Sequence, residues 1–296
     1  MRRSAKLKQE AIVRVPVQAD LLAPSPARTA HPLTIWSWWT LLSLDAPTVA
    51  LCWHLLFRQV LHIAIPATTT LALITTVWLI YVTDRLLDTR TPLPHISRHR
   101  FYLQHRRALT SAAVPGAALL AWCATQIPSA VYMAIAPLIG LALVHFAVVH
   151  RFSARLQRLW PKELIVGSVF ALGVTLPVIA LAPGKLPRLW PYLAVFASLC
   201  WCNCVAIEHW EWRRSSGGPV PNLWAMVLGP RLKWMAALIA IATLLLPPTF
   251  RGCQAALLTS TALLAGLDFF QDTASLDTLR VLADAALLTP ALFLFG

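Results

Sequence analysis

Charge is what this sequence has least of. Only 12% of its 296 residues are charged, whereas 58% are apolar. Soluble domains carry roughly a quarter charged residues, so this composition excludes a water-soluble globule and points to an integral membrane protein. Acids are the scarcer sign: 12 Asp and Glu stand against 25 Lys and Arg, a formal charge of +13. Such an excess suits nucleic acid when it gathers in a patch. Here the bases sit in short gaps between apolar runs, so no nucleic-acid partner is expected. The six cysteines are scattered through apolar runs and lay out no disulfide framework. Residues 1–33 lack the apolar core of a signal peptide and read as a disordered, basic cytoplasmic tail. G-x-x-x-x-G-K-[ST], G-x-G-x-x-G and H-E-x-x-H are all missing, which removes the usual sequence support for nucleotide-loop and zincin chemistry.

What the chain does have is long apolar runs. A helix needs roughly 17 to 25 residues to cross the hydrocarbon. Nine segments qualify or nearly do, at 45–62, 65–83, 108–127, 129–149, 163–183, 190–208, 232–248, 254–270 and 278–295, so residues 34–296 read as one all-α, polytopic transmembrane domain. The first span is ambiguous, because apolar character begins at Trp36. In the SLDAP segment Asp45 suits an N-cap and Pro47 a first turn, which leaves IWSWWTLL as a Trp-rich stretch at the interface. The alternative is one helix from 34 to 57 with Asp45 in mid-bilayer, where a carboxylate needs a partner. With nine spans, 21 Lys and Arg fall on the side of the N-terminus and 4 on the other. The positive-inside rule then puts the N-terminus in the cytoplasm and the C-terminus outside; the expected location is a bacterial inner membrane.

In a chain so poor in charge, carboxylates near the hydrocarbon are the informative residues. Asp84 and Asp88 end the second span in YVTDRLLDTR, and Glu208 and Glu211 end the sixth in CVAIEHWEWRR. By the charge count both pairs lie at cytoplasmic helix ends, at one level. Spacings of i,i+4 and i,i+3 put each pair on one helix face, where two carboxylates suit a cation. The pairs are four spans apart, so their helices run the same way, in the manner of a tandem repeat of helix quartets. Mg²⁺ takes one or two carboxylates plus phosphate oxygens, so two facing pairs suit a metal-bridged diphosphate. The plainer reading makes them helix-end acids paired with the adjacent Arg85, Arg90, Arg213 and Arg214.

These features resemble the UbiA superfamily of intramembrane prenyltransferases. Its first motif is N-x-x-x-D-x-x-x-D; LIYVTDRLLD supplies both aspartates, Asp84 and Asp88, with Ile80 in place of the Asn. Its second motif has acids three apart after a Tyr-Ala-like pair, and VAIEHWE offers Glu208 and Glu211, both Glu rather than Asp. RLQRLWPKELIVGSVFALG is similar to the family's basic stretch before the fifth helix, with Gly167 and Gly173 as close-packing positions. TPLPHIS is similar to the loop that follows the first motif.

The resemblance implies a UbiA-like bundle of nine helices that transfers a prenyl group from a polyprenyl diphosphate to a lipophilic or aromatic acceptor within the membrane. It implies Mg²⁺ held by Asp84, Asp88, Glu208 and Glu211, and phosphates clamped by Arg98, Arg100, Arg158 and Lys162. These cations also read simply as positive-inside residues facing lipid headgroups. Asn203 is placed to contact substrate or to make an interhelical hydrogen bond. Asp284 reaches either the cavity or Arg280, one turn earlier. His54, His62 and His145 read as packing or interface residues, and the C-x-C-x-C run of Cys200, Cys202 and Cys204 as small apolar residues. The SSGGPVP segment reads as a lid or a connector. Two other functions stay open: a catalytically inactive isoprenoid-binding or scaffold protein, for which Ile80 speaks, and a transporter, whose sites more often lie at mid-bilayer between inverted repeats.

Overall fold

A computed structural model of the chain describes residues 35–89, 97–152, 154–214 and 222–294, and every regular element among them is helical. In chain order these are α1 (Ile35–Leu41), α2 (Asp45–Val60), α3 (Ala67–Asp88), α4 (Ser97–Gln104), α5 (Arg106–Ala124), α6 (Ser129–Arg151), α7 (Ala154–Leu159), α8 (Lys162–Leu181), α9 (Leu186–Arg214), α10 (Leu223–Leu228), α11 (Leu232–Leu244), α12 (Arg251–Phe269) and α13 (Leu276–Ala286). The basic tail 1–33 lies outside the described residues.

Among the described residues six segments, rather than nine, are long and apolar enough to cross a membrane: Ala67–Asp88, Arg106–Ala124, Ser129–Arg151, Lys162–Leu181, Pro183–Arg214 and Leu223–Leu244. The other three expected spans fall on helices of a different character. α2 has 16 residues and α13 only 11. α12 has 19 but carries Gln254, Thr259, Ser260 and Thr261 along its length. Three of the long helices, α3, α6 and α8, begin directly after Pro66, Pro128 and Pro161. Proline presets φ and has no N–H to leave unpaired at a helix start.

The centre of the bundle is α9. It packs on α8, α10, α11, α12 and α13, while α2 joins the same core through α3, α8 and α13. The aromatic rings of Trp53, Phe57 and Phe196 meet there, with the Trp53 and Phe196 centroids 4.3 Å apart. Trp53 Nε1 donates to the Leu287 carbonyl at 2.9 Å, which satisfies the one polar atom of a fully buried indole. By contrast α5 packs on α3 and α6 on α8, and both expose long apolar side chains such as Val114, Trp122, Met133 and Leu143. Apolar surface on that scale needs a lipid environment.

Where the chain enters the bundle, the break falls at the expected place but Asp45 has another task. α1 stops at Leu41, Ser43 takes a left-handed φ of 56°, and α2 starts at Asp45. Its N-cap position is Leu44, without a side-chain cap. Asp45 is 2% exposed and turns inward: Oδ1 accepts from Ala46 N at 3.0 Å and Oδ2 from Arg85 Nη2 at 3.1 Å. Arg85 also donates to the Thr40 carbonyl at 2.6 Å and to Ser43 Oγ. Ser43 Oγ lies 2.5 Å from the Tyr102 hydroxyl, and the guanidinium sits 5.9 Å from the ring centres of Tyr81 and Tyr102. The cost of a non-glycine residue at positive φ is met by this network.

Glycine matters most where α8 meets α9. A Cβ on Gly167 would stand 2.7 Å from Trp201 N and 2.9 Å from Trp201 Cα, both backbone atoms that cannot step aside alone. Gly173 has no such constraint, since its nearest neighbour would be Leu138 Cδ2 at 3.7 Å. Gly167→Ala is therefore expected to destabilise the protein by about 1–3 kcal/mol through overpacking. Gly173→Ala is expected to be neutral or to stabilise by up to about 1 kcal/mol from helix propensity. Unfolding of both variants in detergent micelles checks the contrast, and equal midpoints would refute it.

Candidate functional site

The length of the helices decides where the acids stand. At 1.5 Å per residue α9 spans about 44 Å, well over the ~30 Å of a hydrocarbon core. Its last turns, with Glu208 and Glu211, therefore run beyond the apolar part of the helix. α3 carries Asp84 and Asp88 within its final turns, rather than after its end. Adjacent residues on a helix point about 100° apart, so with Arg85 drawn inward to Asp45 the neighbouring Asp84 looks sideways. It meets His150, at the end of α6, with His150 Nε2 to Asp84 Oδ1 at 3.2 Å. Asp84, Asp88 and His150 bring one ligand atom each within 4.8 Å of one another. Two carboxylates fit a hard cation such as Mg²⁺, which keeps other positions for water or phosphate; the imidazole adds a softer donor.

The arginines do not pair as the plainer reading of the acids expects. Arg85 belongs to Asp45. Arg213 reaches Asp272 at 3.3 Å, and Arg214 donates to the Gln271 carbonyl. Arg90 lies outside the described residues. The counter-charges of the second acidic pair come from other helices. Lys162 Nζ, on the first residue of α8, is 2.9 Å from Glu208 Oε1, and Arg280 of α13 donates to Glu211 Oε1. Asp88 also lies within electrostatic range of Lys162. Lys162 thus pairs with the second acidic motif and feels the charge of the first.

Of the expected phosphate clamp, Lys162 is at this centre, while Arg100 is exposed on α4 and Arg158 in the last turn of α7. The side chain of Arg98 lies outside the described residues, as do the TPLPHI segment and the SSGGPVP loop. Asn203 makes the interhelical bond foreseen for it, donating from Nδ2 to Asp284 Oδ1 at 3.4 Å. Arg280 is joined to Glu211.

Two residues near the acids escaped the sequence reading. His150 carries no spacing signal, since its partner Asp84 is 66 residues away. Glu163 follows Lys162 in PKE, and only that adjacency hinted at it. It is 3% exposed, sits 3.8 Å from Lys162 Nζ, and neither carboxylate oxygen has a hydrogen-bond partner among the described residues. His145 is more than packing: its Nδ1 accepts from Trp160 Nε1 at 3.2 Å, so a neutral ring carries its proton on Nε2. Asp84, His150 and Lys162 all lie within electrostatic range of it.

One helical turn deeper, a small cavity opens among α2, α3, α8, α9 and α13. Its polar lining is Tyr81, Asn203, Cys204 and Asp284, with Gly167 and Phe170 on the α8 side. Tyr81 is three residues before Asp84, and Cys204 four before Glu208. α3 and α9 therefore face one space just inside their acidic ends. Comparison with protein-family models, with curated proteins and with solved structures finds no match.

Proposed function

We propose that this protein is a membrane enzyme that transfers a prenyl group from a polyprenyl diphosphate, with Mg²⁺ bound by its acidic helix ends. One observation carries the reading: Glu208 of α9 pairs with Lys162, Asp88 of α3 lies within electrostatic range of the same ammonium, and both helices line one cavity a turn further in. Asp84 and Asp88 are the first metal ligands, joined by Glu208 once a diphosphate draws Lys162 to its own oxygens. Glu211, tied to Arg280, holds α13 against α9 and completes the second acidic pair. Mg²⁺ at these acids would offset the negative charge that develops on the leaving diphosphate. Lys162 adds a cationic donor at the same place, and the exposed Arg100 and Arg158 meet the phosphates from the cytoplasmic side. The apolar helix faces keep bulk water from the allylic carbon.

The topology that fits this reading has nine crossings in a UbiA-like bundle. α2, α12, and α13 with its following 3-10 turn would complete the six long apolar segments, in the inner membrane of a bacterium with the N-terminus in the cytoplasm and the C-terminus outside. A second reading, an isoprenoid-binding protein without catalysis, is favoured by Ile80 and by the fact that Lys162 and Arg280 already neutralise Glu208 and Glu211. Incubating membranes that contain the protein with labelled prenyl diphosphates and Mg²⁺ separates the two. Label is expected in a lipid-extractable product distinct from the starting diphosphate; binding without any turnover would favour the second reading.

A further inference from the structure

Glu163 is buried without what a carboxylate ordinarily needs. It is 3% exposed, and neither Oε1 nor Oε2 has a hydrogen-bond partner among the described residues. An acid in the first turn of a helix usually serves the free amides there, but Glu163 makes no such bond at the start of α8. Its Oε1 is aimed instead at Lys162 Nζ, 3.8 Å away and beyond hydrogen-bond reach. The same ammonium lies 2.9 Å from Glu208 Oε1, so carboxylates from two helices share one cation. Asp88 acts on Lys162 as well, which leaves negative charge in excess at this point. The arginines that end α9 do not redress it, since Arg213 turns to Asp272 and Arg214 to the Gln271 carbonyl. Carboxylates that outnumber their counter-charges, one of them buried, call for a further cation. Lys162 is 36% exposed and Glu208 25%, so an ion reaches the pair from the aqueous side.

Resting on the prenyl-transfer reading, we propose that Glu163 of α8 and Glu208 of α9 are the carboxylates of a divalent-cation site, whose place the Lys162 ammonium holds until a diphosphate draws it away. A diphosphate carries more negative charge than one carboxylate, so it competes well for a flexible lysine. Once the ammonium leaves, the two carboxylates are close like charges that repel. A cation such as Mg²⁺, which takes one or two carboxylates and keeps its other positions for phosphate oxygens and water, relieves that repulsion and ties the substrate to both helices. This pair differs from the one that spacing marks on α9. Glu211 is committed to Arg280, and Glu163 takes its part from another helix. Lys162 and Glu163, adjacent in the chain, then have complementary tasks. The tethered ammonium joins α8 to α9 and keeps metal out before substrate arrives, while Glu163 holds the metal that follows.

The test counts Mn²⁺, which replaces Mg²⁺ at oxygen sites and is read by electron paramagnetic resonance, on the full chain in phosphatidylcholine nanodiscs. Binding is measured with the ion alone and with geranylgeranyl thiolodiphosphate, an unreactive donor analogue. Wild type is expected to bind one ion alone, lost in Asp84→Asn, and a second ion with the analogue. Glu163→Gln should keep the first and weaken the second by at least about tenfold. Lys162→Met should take up the second ion without analogue, about 10–100-fold more tightly than wild type does, and Lys162→Met/Glu163→Gln should lose that gain. A carboxylate that merely starts α8 would move none of these readings. A second ion that binds Glu163→Gln as well as wild type would overturn the proposal, as would no second ion in any of the proteins. Should Lys162→Met fail to fold, the analogue-dependent ion in Glu163→Gln decides alone. An analogue-dependent ion that needs Asp84 and ignores Glu163 would remove this site and leave prenyl transfer standing. A Glu163-dependent ion in Lys162→Met, with no effect of the analogue on any protein, would support the Glu163 and Glu208 pair and remove the diphosphate reading.

Discussion

Asp45→Leu is expected to destabilise the protein by about 3–5 kcal/mol, and Arg85→Leu by a similar amount, because each leaves its partner as an uncompensated buried charge. The pair is 2% and 7% exposed and sits where α1, α2, α3 and α4 meet. Taken singly, neither charge keeps an opposite charge beside it in this network. Asp45 would keep only the Ala46 amide, and Arg85 the Thr40 carbonyl and Ser43 hydroxyl. The double variant Asp45→Leu/Arg85→Leu should recover most of the loss, since a buried ion pair replaced by apolar side chains is often close to neutral. Unfolding of the four proteins in detergent closes the cycle. Single variants within about 1 kcal/mol of wild type would show that water reaches this pair and that it does not organise the α1–α2 junction. The consequence extends to function. Arg85 pulled inward is what turns Asp84 toward α6, so the single variants should also loosen the Asp84 and His150 contact.

Much of this architecture is written in composition and periodicity. Apolar runs of sufficient length marked α5, α6 and α8 to within a few residues and the bodies of α3 and α9, whose polar C-terminal turns run past the expected ends, because a transmembrane helix satisfies its own backbone and leaves its signature in the sequence. The weaker spans were the ones whose reading depends on tertiary context. α13 breaks after Ala286 into a 3-10 turn at Thr289–Phe293, and α12 interleaves Ser and Thr with Leu; neither carries a length or hydropathy signal that stands alone. The acids stood out since charge is rare here, yet their partners did not. Local reasoning matched Asp84 and Asp88 with the arginines beside them, while the fold sent Arg85 across to Asp45 and supplied His150 and Lys162 from α6 and α8. An i,i+4 spacing reports which residues share a face, but which helix lies opposite is a matter of packing. The inner cavity was illegible for the same reason, as its polar lining comes from α3, α9 and α13, more than 200 residues apart at the extremes.

The acidic ends make a graded prediction about metal. Ile80 stands one turn before Asp84 and offers no polar atom, so the first motif relies on its two carboxylates and the nearby imidazole of His150. Asp84→Asn removes a charge from that set with almost no change of shape, and binding of a non-hydrolysable prenyl diphosphate analogue in the presence of Mg²⁺ is expected to weaken by about 10–100-fold. Glu208→Gln should have a comparable effect for a different reason. It frees Lys162 for phosphate but deletes the carboxylate through which α9 meets Lys162. Glu211→Gln should do less to Mg²⁺ dependence and more to stability, because Glu211 is committed to the 6%-exposed Arg280. The measurement is analogue affinity for the purified protein in detergent, with Mg²⁺ and with chelator. An apolar tail buried between helices would by itself give an affinity indifferent to metal and to all three substitutions. Equal affinity in wild type, Asp84→Asn and Glu208→Gln, with or without Mg²⁺, would therefore strip the acids of a metal-binding role while leaving the helical bundle and its inner cavity as described.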